Sequence, residues 1–145
     1  ANVTLIGGEA FGYCSKLSNI HVDPDNLAYC SFEGNLYTKD KTVFVQYAYG
    51  KKETEIIIPD GVTSIYEYAF TGCHNLKRVK LPNSIKSIEQ FAFSNCTILS
   101  QINFPNGLTH IGYRAFQGAT LLKKIKKTIF LKNKFIKRRK EDYWW

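Results

Sequence analysis

The chain repeats itself every 23 residues, and that period limits its fold more than any other feature. Three successive segments, Ile56 to Arg78, Val79 to Gln101 and Ile102 to Lys124, align without a gap. Their landmarks fall into columns: Pro59, Pro82 and Pro105; Ile65, Ile88 and Ile111; Ala69, Ala92 and Ala115; Phe70, Phe93 and Phe116; Leu76, Leu99 and Leu122. A fixed period of about 20 to 29 residues means one structural unit stacked on copies of itself, each burying its apolar side only against its neighbours.

Within one unit, Val79 and Leu81 alternate with Arg78 and Lys80, the pattern of a short half-buried strand. Pro82 then removes a backbone donor and Asn83-Ser84 supplies turn chemistry, so the strand ends there. Ile85 and Ile88 are expected to point inward, and Glu89 to Cys96 to form one helical turn that closes the coil. Stacked coils would bring Phe70, Phe93 and Phe116 into one file and Ile65, Ile88 and Ile111 into another. Cys73 and Cys96 share a column with Ala119, and Cys14 is their counterpart near the start. That column favours small buried thiols, with a Cys73 to Cys96 disulfide as the alternative and the redox compartment left open.

The beginning of the chain carries a partial copy. Ile6, Phe11, Cys14 and Leu17 keep the spacing of Ile65, Phe70, Cys73 and Leu76, at an offset of 59 residues that leaves 36 beyond one period. An insert of about that length is therefore expected between Asp23 and Glu55. Turn clusters at Asp23 to Asn26 and Glu33 to Asn35, with Leu36-Tyr37 and Val43 to Tyr47 as strands, predict an antiparallel hairpin island. Its tyrosines, Tyr29, Tyr37, Tyr47 and Tyr49, are read as a cover for the edge of the stack, with a contact surface as the alternative. The expected organisation is a single domain over 1–145: a first repeat at 1–22, the hairpin insert at 23–55, three repeats at 56–126 and a basic cap or tail at 127–145.

The pattern Ile-Pro-x-x-Val-x-x-Ile followed by Ala-Phe-x-Gly-Cys-x-x-Leu-x-x-Val, from Ile58 to Val79 and echoed from Leu81 to Ile102, resembles the BspA-type leucine-rich repeats. The stretch from Val22 to Pro59 is similar to the hairpin that often interrupts such arrays. The resemblance covers roughly residues 5 to 126. It implies an α/β leucine-rich-repeat solenoid of about four coils, with short parallel strands, single helical turns and the inserted hairpin. Proteins carrying these repeats are often surface-exposed or secreted, in gut and oral bacteria and some protozoa, and those with assigned roles commonly bind host proteins or other cells. The resemblance thus implies a non-catalytic binding or adhesion module at the cell surface or outside the cell, with a host or cell-surface protein as partner. An intracellular, cytoplasmic interaction scaffold is the alternative. It brings no catalytic motif and no cofactor.

Charge narrows the field further. The net charge is +8, yet residues 1–122 hold 10 Lys or Arg against 10 Asp or Glu, while residues 123–145 hold 10 against 2. A balanced repeat body gives no sign of a nucleic-acid platform. The tail leaves two readings. Ile125, Ile129, Phe130, Leu131, Phe135 and Ile136 suit a cap on the stack, whereas Lys137 to Lys140 with Trp144 and Trp145 suit an anionic membrane, glycan or nucleic acid. No apolar run reaches the roughly 18 residues of a membrane-spanning helix.

The candidate partner-binding residues are the outward columns of the strand face. These are Asn19, Glu55, Arg78, Gln101 and Lys124, and beside them His21, Ile57, Lys80, Asn103 and Lys126. Their mixture of charge, amide and one apolar residue, repeated at the strand spacing, suits an extended protein surface, and an ordinary solvated face is the alternative. His21, His74 and His110 lack partners at zinc-ligand spacing, and Asp23, Asp25 and Asn26 read as turn caps rather than a calcium loop. No nucleophile, base and orienting residue fall together, and no small-molecule substrate is implied.

Overall fold

The computed structural model describes residues 2–125. In each complete coil the chain contributes one strand to each of two sheets, and the repeat strands run parallel within both. β4 (Glu55–Ile57), β6 (Arg78–Lys80) and β8 (Gln101–Ile102) form one of them. Ile56 pairs with Val79 and Val79 with Ile102, each one period on. β5 (Ser64–Ile65), β7 (Ser87–Ile88) and β9 (His110–Ile111) belong to the other, where Ile65 pairs with Ile88 and Ile88 with Ile111. The first sheet is the one the alternation predicts. The strands of the second are two residues long, too short to show any alternation.

The arc from Glu89 to Cys96, expected to be a helical turn, is a staircase of tight turns. Ala92 N bonds Glu89 O, Ser94 N bonds Phe91 O and Cys96 N bonds Phe93 O, at 3.0–3.3 Å. Phe91 (φ 54°) and Asn95 (φ 56°) are left-handed and break any helix between those turns. The same reversal recurs in the register of Phe91 at Tyr68 (φ 58°) and Arg114 (φ 51°), and in the register of Asn95 at Gly72 (φ 75°) and Gly118 (φ 76°). Amides freed from a helical ladder reach the next coil instead: Phe70 N bonds Ala92 O at 2.8 Å, and Phe93 N bonds Ala115 O at 2.7 Å.

Side chains follow the same lattice. Phe70 and Phe93 stack with centroids 4.7 Å apart and planes 8° from parallel, and Phe93 and Phe116 stack at 5.3 Å and 2°. Ile65, Ile88, Ile111, Ala69, Ala92 and Ala115 are buried beside them. Cys73 and Cys96 are buried free thiols, with Cys96 Sγ donating to Phe70 O at 3.0 Å and burial raising the Cys73 pKa. Cys14 departs from its column: it is exposed, because the first repeat does not lie against Cys73.

The insert explains that departure. β1 (Tyr29–Phe32), β2 (Asn35–Thr38) and β3 (Val43–Gln46) form an antiparallel meander. Glu33 (φ 49°) and Gly34 (φ 71°) make the two-residue turn, both left-handed as a twisted hairpin requires. β3 then pairs in parallel with β5, Phe44 opposite Ile65. Thr42 O accepts Thr63 N and Ser64 N as Thr63 O accepts Lys86 N and Ser87 N. The hairpin therefore continues the solenoid sheet, giving the order β1-β2-β3-β5-β7-β9, and Phe44 extends the ring file onto Phe70 at 4.7 Å.

Tyr29, Tyr37 and Tyr47 are buried, and Tyr49 is half-buried with Oη donating to Tyr68 O at 3.1 Å. They cover the stack, as the first of the two readings expects. The first repeat rests on the far side of this meander, where Ile6, Phe11 and Leu17 pack on a second core of Ile20, Tyr29, Leu36, Val45 and Ala48. Ile20 N bonds Gly34 O at 2.9 Å, and Gly50 N bonds Leu17 O at 2.7 Å.

Two substitutions test this construction. Phe93→Ala opens a hole between two coils and should cost about 3–5 kcal/mol, read from the denaturant midpoint at constant slope. Gly72→Ala places a methyl where nothing lies within 4 Å, so its cost is conformational. A loss of about 1–2 kcal/mol is expected, with Gly72→Asn losing less, and thermal melting separates them.

Candidate functional site

The β4-β6-β8 sheet presents its charged residues outward because its buried positions are fixed by the core: Ile56, Val79 and Ile102 turn in, and their neighbours turn out. Two rows result. In the first, Arg78 lies between Glu55 and Gln101, with Nε donating to Gln101 Oε1 at 2.7 Å and Nη1 to Glu55 Oε2 at 3.3 Å. The guanidinium is thereby held flat along the row by two neighbours one period away on either side. The second row holds Ile57, which is 57% exposed, then Lys80 and Asn103. Lys80 pairs with no carboxylate among the described residues. Asn103 has a structural task, since its Nδ2 donates to Leu81 O at 2.9 Å and its Oδ1 accepts Leu81 N at 2.7 Å.

Six of the ten expected residues thus share one face: Glu55, Ile57, Arg78, Lys80, Gln101 and Asn103. Asn19 and His21 are exposed but lie elsewhere, because Ile20 between them bonds the hairpin turn at Gly34 instead of β4. Lys124 falls in a 3-10 helix, Thr120–Ile125, which ends the strand column after Gln101. Lys126 and the tail readings for 127–145 lie outside the described residues.

The other polar groups have local work. Asp23 Oδ1 accepts Asp25 N at 2.9 Å, and Asn26 Oδ1 accepts Ala28 N and Tyr29 N at 2.8 Å, so these residues cap turns. His110 Nε2 lies 3.7 Å from Glu89 Oε2, and His74 Nδ1 lies 3.5 Å from Thr97 Oγ1. Among the described residues no three His, Cys, Asp or Glu side chains are grouped to hold a metal, and no helix is long and apolar enough to cross a membrane.

The residues that sequence reasoning missed lie beside β4. A cleft of about 520 Å³ separates its outer edge from the hairpin turn, lined by Phe32, Glu33, Tyr47, Lys51, Glu53 and β4 itself. A signal for it existed: the 23-residue register breaks immediately before Glu55, so β4 has no preceding repeat strand to lie against.

Comparison with known proteins is consistent with this geometry. The profile described as BspA type Leucine rich repeat region matches in six copies over residues 1–39 and 41–137. A leucine rich cell surface protein from Faecalibacterium prausnitzii A2-165 is 35% identical, with a TM-score of 0.75 over 85% of this chain and 33% of its own. A leucine-rich repeat protein from Eubacterium ventriosum ATCC 27560 is 30% identical, with a TM-score of 0.72 over 83% of this chain and 32% of its own. The pneumococcal vaccine antigen PcpA shares the fold at 22% identity, with a TM-score of 0.65 over 70% of this chain and 31% of its own. The chain spans about a third of the length of these solved proteins. No curated protein matches it.

The face can be altered without disturbing the fold, since Arg78 is half exposed and its ion pair is a surface one. Arg78→Ala and Lys80→Ala should each change unfolding free energy by less than about 1 kcal/mol, measured by urea titration.

Proposed function

The chain belongs to the BspA-type leucine-rich repeat family, and from that premise we propose that it is a non-catalytic protein-binding or adhesion module of a surface-exposed or secreted protein. Leucine-rich repeats of this kind are typically an interaction fold, and the relative from Faecalibacterium prausnitzii, at 35% identity, is named a cell surface protein. The observation that carries the reading is the outward lattice of the β4-β6-β8 sheet. Glu55, Arg78 and Gln101 form one row and Ile57, Lys80 and Asn103 another, spaced one strand apart on a rigid support. Side chains repeated at a fixed spacing meet a partner over an extended area at little ordering cost.

Arg78 and Lys80 give the face its cations, so an acidic region of a host or cell-surface protein is the partner class. The test is surface plasmon resonance against a panel of purified extracellular glycoproteins, using the parent and the Arg78→Glu, Lys80→Glu double variant. Saturable binding that the double variant weakens by about tenfold or more supports the reading. Binding that survives both reversals moves the site off this face, and silence across the panel removes the adhesion reading.

A further inference from the structure

β4 is the open edge of its sheet. On one side it pairs with β6, where Arg78 N reaches Thr54 O at 3.0 Å and Ile58 N reaches Lys80 O at 2.9 Å. Alternate residues of a strand between parallel neighbours turn their N–H and C=O to opposite sides, so Glu55 and Ile57 direct theirs away from β6. One period earlier, residues 32–34 would supply the next strand of the stack. They form the hairpin turn instead, and the cleft beside β4 lies where that strand would run.

Three features of the cleft point to an occupant. Its edge offers two outward donors and two acceptors at the spacing of a strand, a surface that soluble proteins ordinarily block or pair. Tyr47 lines it, and although only 3% exposed, its Oη is the one buried side-chain oxygen or nitrogen without a hydrogen-bond partner among the described residues. Its lining leans acidic: Glu33, Glu53 and Glu55 stand beside one lining cation, Lys51, which lies 3.7 Å from Glu53, while Glu55 is paired with Arg78 of β6. Phe32, Ile56 and Pro59 complete an apolar lining.

We propose that the open edge of β4 takes up an extended segment of the partner protein as an added strand, with an apolar residue against Tyr47 and Phe32 and basic residues on either side of it. The added backbone bonds Glu55 and Ile57, the apolar side chain fills the cleft, and the flanking cations meet Glu33 and Glu53. This inference rests on the protein-binding reading and adds a second contact to it, made by a basic segment of the partner beside the acidic region that meets Arg78 and Lys80.

A suitable probe is the capped peptide Lys-Arg-Val-Lys-Leu, which repeats residues 77–81 and already pairs with β4 on its other side. Titrated into the full chain and followed by NMR hydrogen exchange, it should slow the Glu55 and Ile57 amides by about tenfold. A peptide with glutamates in place of its cations, and one N-methylated on its backbone, should each bind roughly fivefold more weakly or worse. Ile57→Pro should weaken binding to a similar degree. Ile57→Pro removes an outward amide that the β4–β6 ladder does not use, and an unchanged near-ultraviolet spectrum confirms its fold.

Equal binding by Ile57→Pro, or by the N-methylated peptide, overturns strand addition. So does binding that protects neither Glu55 nor Ile57, or no binding at all. None of these results touches the glycoprotein panel, whose outcome depends on Arg78 and Lys80, so the two readings fail separately.

Discussion

Hydrogen bonds between one coil and the next set the terms for everything else in this molecule. Phe70 N to Ala92 O, Gly72 N to Ser94 O and Lys86 N to Thr63 O all join neighbouring coils within one residue of the repeat register, and the pairs Ile56–Val79 and Ile65–Ile88 join equivalent positions. Each coil must therefore return its chain to the same lateral position one strand spacing higher, about 4.8 Å. A residue gained or lost inside a paired strand would move the side chains of that strand out of their columns. The Phe70, Phe93 and Phe116 stack is a consequence: rings 4.7 and 5.3 Å apart follow the strand spacing, and their parallel planes follow the parallel backbones that carry them.

A lattice held this firmly by its backbone frees its outer face from structural duty. Val79 is buried and cannot vary cheaply, whereas Arg78 and Lys80 on either side face water. The arrangement of Arg78 between Glu55 and Gln101 still has a physical meaning. Its two hydrogen bonds cross both strand boundaries, so the guanidinium has a partner on either side along the row. Pre-ordering of a long side chain lowers the entropy that association must overcome, and Arg suits this better than Lys because its planar fork meets two acceptors at once.

The parts of this fold that rest on side-chain identity were legible in the sequence. Proline, isoleucine, alanine and phenylalanine columns announced the stack, and Val79 and Leu81 announced the first sheet. What stayed hidden rests on backbone geometry. Nothing in the chemistry of Tyr68, Phe91 or Arg114 signals a left-handed residue, yet φ values of 51–58° there turn an expected helical turn into a staircase of turns. β3 was expected as a hairpin strand, but its place in the solenoid sheet was hidden by a slip of two residues: Thr42 stands 21 residues before Thr63, whereas Tyr47 stands 23 before Phe70. Asn19, His21 and Cys14 were placed by spacing alone, and spacing says nothing about which neighbour a coil rests on. Here the neighbour is the meander, reached through Ile20 and Leu17.

That meander also decides where the symmetry of the molecule is broken. In the longer sheet β3 takes the place a repeat strand would have, and the ladder runs unbroken into β5. In the shorter sheet the equivalent place falls at residues 32–34, which the turn at Glu33 and Gly34 has already committed to joining β1 and β2. A two-residue turn with both residues left-handed cannot also supply an extended strand. One sheet is thus completed by the insert and the other is left open by it. Burial of Tyr37 and Tyr47 pins the meander, so the open edge is built into the packed core and does not depend on a loop happening to stand aside.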